Sequence, residues 1–213
     1  MTYAIGPGAP TPAVKILLIT NIALFLMNVI VGDVMTIRLG LSPQSVFEDF
    51  ALWQPVTYMF LHSTRGLGHI LFNMLALWMF GTELERTWGT RFFTKYYFVT
   101  GVGAAATNLL LSLFIADIYH STTVGASGAI YGLLAAAASL YPDRKLLLLP
   151  LPGELEARTL ALLLGGISVL HGVTGTQAGT AHFAHLGGMA GGWLLIQYWR
   201  GRLPLKPRRL LVP

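Results

Sequence analysis

Residues 124–141 read VGASGAIYGLLAAAASLY, and their apolar pattern predicts a helix that begins at Ser127. Unpaired backbone N–H groups and the positive end of the helix dipole favour developing negative charge at such a start. The small residues around Ser127 leave its hydroxyl approachable. A helix over residues 127–141 is about 22 Å long, whereas the hydrocarbon core of a bilayer is about 30 Å thick. If this helix lies in a membrane, Ser127 is expected below the surface.

Composition indicates a membrane protein. Of the 213 residues, 54% are hydrophobic and 11% are charged, against about a quarter charged in soluble domains. There is no cysteine, which excludes disulfides and thiol chemistry. We therefore expect an all-α integral membrane protein, a bundle of six transmembrane helices. The predicted spans are residues 14–34, 68–82, 96–115, 127–141, 155–170 and 180–199.

The net charge of +5 is explained by the positions of the basic residues in this topology. Only Arg38 and Arg65 fall on one side, and all other Lys and Arg residues fall on the opposite side. Since Lys and Arg accumulate in cytoplasmic loops, both termini are expected in the cytoplasm. The basic tail is then a lipid-facing anchor, and no nucleic-acid partner is expected. The chain divides into a disordered cytoplasmic N-terminus, a six-helix domain and a basic cytoplasmic tail, over residues 1–13, 14–200 and 201–213.

Polar residues occur near one end of three predicted spans. His69 and Asn73 are four residues apart in the second span, Ser127 opens the fourth, and His182 and His185 begin the sixth. Alternate spans run in the same direction, so these groups are expected at one depth. A serine activated by a base, with donors for an oxyanion, can perform acyl transfer. No carboxylate accompanies them, which predicts a Ser–His dyad and not a triad.

The histidines allow other interpretations. His182 and His185 share a helix face, so either could be the base, and His185 is favoured because it alone precedes the run Leu186-Gly187-Gly188. A metal site formed by His69 with these two residues is disfavoured, because there is no HExxH motif and no acidic ligand. A transporter is disfavoured because the sequence has no inverted repeat.

Glycine spacing predicts which two spans are in close contact. Gly188 and Gly192 are four residues apart in the sixth span, and Gly128 and Gly132 have the same spacing in the fourth. Small residues at this spacing allow helix backbones to approach closely. We therefore expect the sixth span to pack against the helix that carries Ser127.

These motifs resemble those of the rhomboid intramembrane serine proteases. Residues 125–128, GASG, resemble the family's GxSG motif, and residues 69–73, HILFN, resemble its HxxxN motif in the second span. Residues 184–188, AHLGG, resemble the AHxxG segment of the last span, and the similarity covers residues 66–199 in order and spacing. The chain differs in lacking a Trp-Arg pair in the first outward loop and in having His182 where Asn is frequent.

The resemblance implies a role for each matching residue. Ser127 is expected to be the nucleophile and His185 the general base. The oxyanion hole is expected from the Ser127 backbone N–H with the side chains of His69 and Asn73. The family also implies an ExxxG motif, matched by Glu85 and Gly89, and supporting residues around the dyad, which here are Gly125, Gly128, Tyr131 and His182. Tyr131 matches the tyrosine that packs on the base.

The expected function is that of an intramembrane serine endopeptidase. It would hydrolyse a peptide bond in or near the outer end of a substrate's transmembrane helix, without cofactor or metal. Its partners would be transmembrane protein substrates and the lipid bilayer, and the expected location is a bacterial plasma membrane. The alternative is a catalytically silent rhomboid-like protein that binds membrane helices without cutting them. The presence of both Ser127 and His185 argues against that alternative.

Overall fold

The computed structural model describes residues 6–147, 153–174 and 180–207. Helices account for most of these residues. They are α1 (Pro12–Val31), α2 (Asp33–Leu39), α3 (Pro43–Glu48), α4 (Gln54–Thr57), α5 (Gly68–Ala76), α6 (Thr82–Trp88), α7 (Thr90–Ser112), α8 (Ala116–Tyr119), α9 (Ser127–Leu140), α10 (Ala157–Thr174) and α11 (Thr180–Trp199). A 3₁₀ turn, Tyr58–Phe60, follows α4, and a π-helical turn, Leu77–Gly81, joins α5 to α6.

Each predicted apolar segment contains a long helix. The second continues further than predicted, to Trp88, because the π-helical turn lets α5 run into α6 without a break. Among the described residues, two helices are long and apolar enough to cross a membrane by length and hydropathy alone, namely Pro12–Val31 and Ala157–Thr174. The connection between the fifth and sixth predicted spans, residues 171–179, is helical up to Thr174, and residues 175–179 lie outside the described residues.

The fifth segment begins later than predicted. Residue Leu155 lies in a two-stranded antiparallel hairpin of β1 (Lys145–Leu147) and β2 (Glu154–Glu156), so α10 starts at Ala157. Lys145 is opposite Glu156 in this hairpin. Backbone pairing between the strands replaces the first helical turn that the apolar pattern predicted, and the all-α prediction missed this element.

Helix α9 lies at the centre of the bundle and contacts α7, α10 and α11. Its close contact with α11 confirms the prediction from glycine spacing. A Cβ on Gly188 would overlap the carbonyl oxygen of Gly128, and one on Gly192 would lie 2.9 Å from the Cα of Gly132. The two backbones therefore touch, and no larger residue fits at the contact.

Residues 6–13, the described part of the segment 1–13 that was predicted to be disordered, make specific contacts with the bundle. The backbone carbonyl of Gly8 accepts a hydrogen bond from Trp78 Nε1 at 2.8 Å, and those of Pro7 and Ala9 accept from the guanidinium of Arg86. Hydrogen bonds to backbone carbonyls, and not apolar packing, hold this segment against the bundle. The hydrophobic periodicity of the sequence therefore gave no sign of these contacts. Residues 1–5 lie outside the described residues.

The carboxylate of Glu85 joins three helices. It accepts hydrogen bonds from the backbone N–H groups of Ala13 and Val14, both at 3.0 Å, and from the hydroxyls of Thr11 and Thr90. The first two are donors at the start of α1, which lacks a cap from its own N-cap residue. Burial raises the pKa of this carboxyl, but the four hydrogen bonds outweigh it and hold the pKa below its usual value.

The first long connection, residues 32–67 between α1 and α5, is folded against the bundle without a Trp-Arg pair. Trp53 Nε1 donates to the carbonyl of Arg38 at 2.8 Å, and the Ser42 N–H donates to the buried side chain of Gln54 at 2.9 Å. Leu41 and Thr123 exchange two backbone hydrogen bonds of 2.9 and 2.8 Å. These contacts connect the first loop to the loop that precedes Ser127.

The outward faces of the long helices are apolar. Ile30 is 84% exposed on α1, and Leu162 and Val173 are 76% and 77% exposed on α10. In the loop between α3 and α4, Phe50 and Leu52 are 73% and 69% exposed. Such surfaces are unfavourable in water and suit contact with lipid.

The pKa of Glu85 is lower in the folded state than in the unfolded state, where it is about 4.3. The stabilisation that results is complete at pH values above the unfolded-state pKa, and it is lost as the pH falls through the folded-state pKa. Glu85→Gln should lower the free energy of unfolding at pH 7 by about 1–3 kcal/mol, which is measured as a lower apparent Tm in detergent. It should also flatten the dependence of Tm on pH below about pH 5. The matched control is Glu83→Gln on the same helix, which removes a partly exposed ion pair with Arg144 and should cost less than about 1 kcal/mol. Equal pH profiles for the wild type and Glu85→Gln would contradict the role of the carboxylate.

Candidate active site

Ser127 and His185 are brought together by the contact between α9 and α11. Ser127 Oγ is 2.7 Å from His185 Nε2, within hydrogen-bond distance. Ser127 is the first residue of α9, so its backbone N–H has no partner from a preceding turn of that helix. His185 lies in the first part of α11. The pair has the geometry in which an imidazole can remove the proton of a serine hydroxyl.

The other nitrogen of His185 is buried and has no hydrogen-bond partner among residues 6–147, 153–174 and 180–207. The imidazole instead packs on an aromatic ring. The rings of Tyr131 and His185 are stacked, with centroids 4.3 Å apart and planes 9° apart. Tyr131 lies one turn after Ser127 on α9, so the same helix supplies the hydroxyl and the surface on which the imidazole rests.

His182 occupies a different environment from His185. Its ring is stacked on that of His171, with centroids 5.1 Å apart, and meets the ring of His185 edge-on at 6.0 Å. Of the two histidines considered as a base, His185 is the one whose ring nitrogen is hydrogen-bonded to Ser127.

His69 faces the same small space as the Ser127 hydroxyl. The backbone N–H of Ser63 donates to His69 Nδ1 at 3.2 Å, so the proton of a neutral His69 is on Nε2. A Cβ on Gly125 would lie 3.0 Å from His69 Nε2 and 3.6 Å from Ser127 Oγ. Glycine keeps this space open, and the φ of +130° at Gly125 would strain any other residue.

Asn73 lies one turn after His69 on α5 and is buried. Its Nδ2 donates to the carbonyl of His69 at 2.7 Å, which uses one of its two N–H groups. Its Oδ1 has no hydrogen-bond partner in the described part of the chain. Gly128 is packed directly against α7, where a Cβ would lie 2.5 Å from that of Ala104.

Three residues around the site were missed from the sequence. Ser63 and His62 precede α5 in a loop, where helical spacing gives no signal, and the buried ring of His62 is 5.2 Å from that of His69. Ser168 donates a hydrogen bond to the hydroxyl of Tyr131 at 3.2 Å from α10. Ser168 is the one polar side chain between Leu160 and Leu170 in an otherwise apolar stretch of α10, and such residues are functional candidates by default.

The arrangement has no apparent metal centre. Within residues 6–147, 153–174 and 180–207, no group of three or more His, Asp or Glu side chains could hold a metal ion. The side chains that the site brings together carry a hydroxyl, imidazole rings and an amide.

Comparison with known protein families identifies the fold. A family model described as the Rhomboid domain matches residues 49–202. The chain belongs to the rhomboid family. It is 31% identical over 166 residues to RHOMBOID-like protein 4 of Arabidopsis thaliana, covering 73% of this chain and 36% of that protein.

Two bacterial relatives are similar over long stretches. Rhomboid protease AarA of Providencia stuartii is 30% identical over 155 residues, covering 67% of this chain and 54% of that protein. Rhomboid protease GlpG of Yersinia pestis is 27% identical over 194 residues, covering 90% and 63%. The chain thus spans from 24% to 63% of the length of the curated relatives that it matches. Membership of this family identifies the chain as an integral membrane protein.

Proposed function

We propose that this protein is an intramembrane serine endopeptidase that cuts other membrane proteins in or near the outer end of a transmembrane helix. The observation that carries the proposal is the 2.7 Å contact between Ser127 Oγ and His185 Nε2. It occurs in a chain of the rhomboid family, some of whose curated members are named proteases.

The six long helical segments are proposed to be six membrane spans. The apolar outward faces of α1 and α10 support this assignment, since lipid is the solvent that suits them. Helix α9 has 14 residues and is about 21 Å long, shorter than the bilayer core of about 30 Å. Ser127 then lies below the membrane surface, reached by water through the irregular chain that precedes it.

Both termini are proposed to be cytoplasmic. Arg144, Arg158 and Arg200 lie at the end of α9 remote from Ser127, where Arg200 donates to the carbonyl of Ser139 and Arg144 pairs with Glu83. Cytoplasmic ends of membrane proteins are enriched in Lys and Arg. The dyad then faces the outer side. A bacterial plasma membrane stays a prediction, because relatives occur in plants and in bacteria.

In the proposed reaction, His185 Nε2 accepts the Ser127 proton while Ser127 Oγ forms a bond to the carbonyl carbon of the substrate. The carbonyl π electrons move to oxygen, which becomes an oxyanion. His185 then gives the proton to the nitrogen of the leaving amine as the peptide bond breaks. Water, activated by the same imidazole, hydrolyses the acyl-enzyme and restores Ser127.

The oxyanion is proposed to be stabilised by three donors. These are the Ser127 N–H at the start of α9, the Nε2–H of His69 and the second N–H of Asn73 Nδ2. The hydrogen bond from Ser63 to His69 Nδ1 supports this role, because it selects the tautomer that donates through Nε2. Donors fixed in a water-poor site need no reorganisation when the charge forms.

The substrate is proposed to be a transmembrane helix weakened by small or helix-breaking residues. A protease must reach an extended backbone, and a stable helix hides its carbonyl groups in internal hydrogen bonds. The competing function is that of a silent rhomboid-like protein that binds helices without hydrolysis. The Ser127–His185 contact favours the protease, and cleavage of a model substrate discriminates between the two.

We expect Ser127→Ala to abolish cleavage of a model transmembrane substrate, and His185→Ala to slow it by at least about 10³-fold, because each removes one half of the dyad. The measurement is single-turnover cleavage by purified protein in detergent, with product masses recorded to locate the cut. His182→Ala is the matched control on the same helix, and it should retain cleavage within about tenfold of the wild type. Loss of cleavage in His182→Ala with retention in His185→Ala would reverse the assignment of the base.

Removing an oxyanion donor should lower kcat more than it raises KM, because that contact forms only in the transition state. His69→Ala and Asn73→Ala are each expected to lower kcat by about 10²–10³-fold. Asn73→Asp provides a second test, since it keeps the shape of the side chain but replaces the N–H donor by an acceptor. Unchanged kcat in His69→Ala and Asn73→Ala would reduce this pair to a packing role.

A further inference from the structure

The base of the proposed dyad needs something to hold its orientation. A triad uses a carboxylate on the second imidazole nitrogen for that purpose. Here that nitrogen of His185 is buried without a hydrogen-bond partner in the described part of the chain. Apart from the hydrogen bond to Ser127, packing orients this ring, and the stacked ring of Tyr131, 4.3 Å away and 9° from parallel, is its closest aromatic neighbour among the described residues.

The ring of Tyr131 is itself fixed at its hydroxyl. Ser168 of α10 donates a hydrogen bond to this hydroxyl at 3.2 Å, and Ser168 is 1% exposed. Two other hydroxyls in the long helices bond to a carbonyl of their own helix, that of Thr107 to Gly103 and that of Ser139 to Ala135. The hydroxyl of Ser168 instead reaches across to another helix.

Ser168 lies on the face by which α10 is seated on α11. Gly165 and Gly172 are on the same face, three residues before and four residues after it. A Cβ on Gly165 would lie 3.2 Å from Met189 Sδ, and one on Gly172 would lie 3.1 Å from the ring of Phe183. The opposite face of α10 is apolar and exposed, so α10 forms the edge of the bundle.

We propose that Ser168 is a positioning residue for the proposed peptidase: it fixes the Tyr131 ring against His185, so the seating of α10 sets the reactivity of Ser127. This inference rests on the proposed function, because it assigns His185 as the base. Four groups form the connection in order, namely Ser168 of α10, Tyr131 of α9, His185 of α11 and Ser127 of α9. Ser168 touches neither the substrate nor the reacting atoms and acts through Tyr131.

The test is the second-order rate constant for labelling of Ser127 by a fluorophosphonate, which reports the nucleophilicity of Ser127 without substrate binding. Ser168→Ala and Tyr131→Phe each remove one partner of the same hydrogen bond. Each is expected to slow labelling about fivefold, the effect of about 1 kcal/mol. Because both remove the same hydrogen bond, the double variant should also be about fivefold slower than the wild type, and not about 25-fold slower. In cleavage assays kcat should fall with KM unchanged, which a loss of stability alone would not produce.

Ser139→Ala is the matched control, because its hydroxyl bonds within its own helix at the far end of α9. It should label at the wild-type rate. Wild-type rates in Ser168→Ala or in Tyr131→Phe, or a multiplicative loss in the double variant, would overturn the positioning role while leaving the protease intact. If Ser168→Ala does not fold, the rate for Tyr131→Phe decides. Failure of the wild-type protein to label at Ser127 would overturn the proposed function itself, and the positioning role with it.

Discussion

The backbone contact between α9 and α11 is the constraint on which the site depends. Ser127 and His185 lie on different helices, so the separation of the hydroxyl and the imidazole is set by how closely those helices approach. Gly128 meets Gly188, and Gly132 meets Gly192 one turn later. Two contacts at the same spacing fix the rotation of the helices as well as their distance. The apolar environment of a bilayer offers no hydrophobic force between helices, so close van der Waals contact of this kind holds them together.

Around this contact, a few polar and aromatic groups make specific contacts. The ring of Tyr131 is stacked on that of His185. A backbone N–H from Ser63 selects the tautomer of His69. At the opposite end of the bundle, one carboxylate, that of Glu85, satisfies donors at the start of α1 and on Thr90. In a low-dielectric bundle these pairings are favourable, because an unpaired buried donor or acceptor is costly.

Much of the fold and the main residues of the site could be predicted from the sequence, because both depend on local patterns. Apolar runs located all the long helices, and glycine spacing predicted the contact between α9 and α11. The spacing of His69 and Asn73, and the position of Ser127 after Gly125-Ala126, were visible for the same reason. Their catalytic roles are proposed from this geometry together with membership of the rhomboid family.

The remainder could not be predicted because it depends on contacts between distant parts of the chain. Ser168 meets Tyr131 only after α10 packs against α9, and 37 residues separate them in the sequence. The order of residues 6–11 depends on hydrogen bonds to Trp78 and Arg86, and the hairpin before α10 depends on strand pairing. None of these features has a periodic signal. His62 and Ser63 likewise acquire their positions from the fold of the first loop.

The most direct test of this account is fluorophosphonate labelling of Ser127 in two glycine variants of α11. Gly188→Ala places a methyl group against the carbonyl oxygen of Gly128, whereas a Cβ on Gly191 would have no atom of a neighbouring helix within 4 Å in the described part of the chain. The account predicts that Gly188→Ala, with helicity and detergent-solubilised size like the wild type, labels at least about tenfold more slowly, because displacing α11 separates His185 from Ser127. Gly191→Ala should label at the wild-type rate. Labelling of Gly188→Ala at the wild-type rate would show that the glycine contact does not determine the separation of Ser127 and His185.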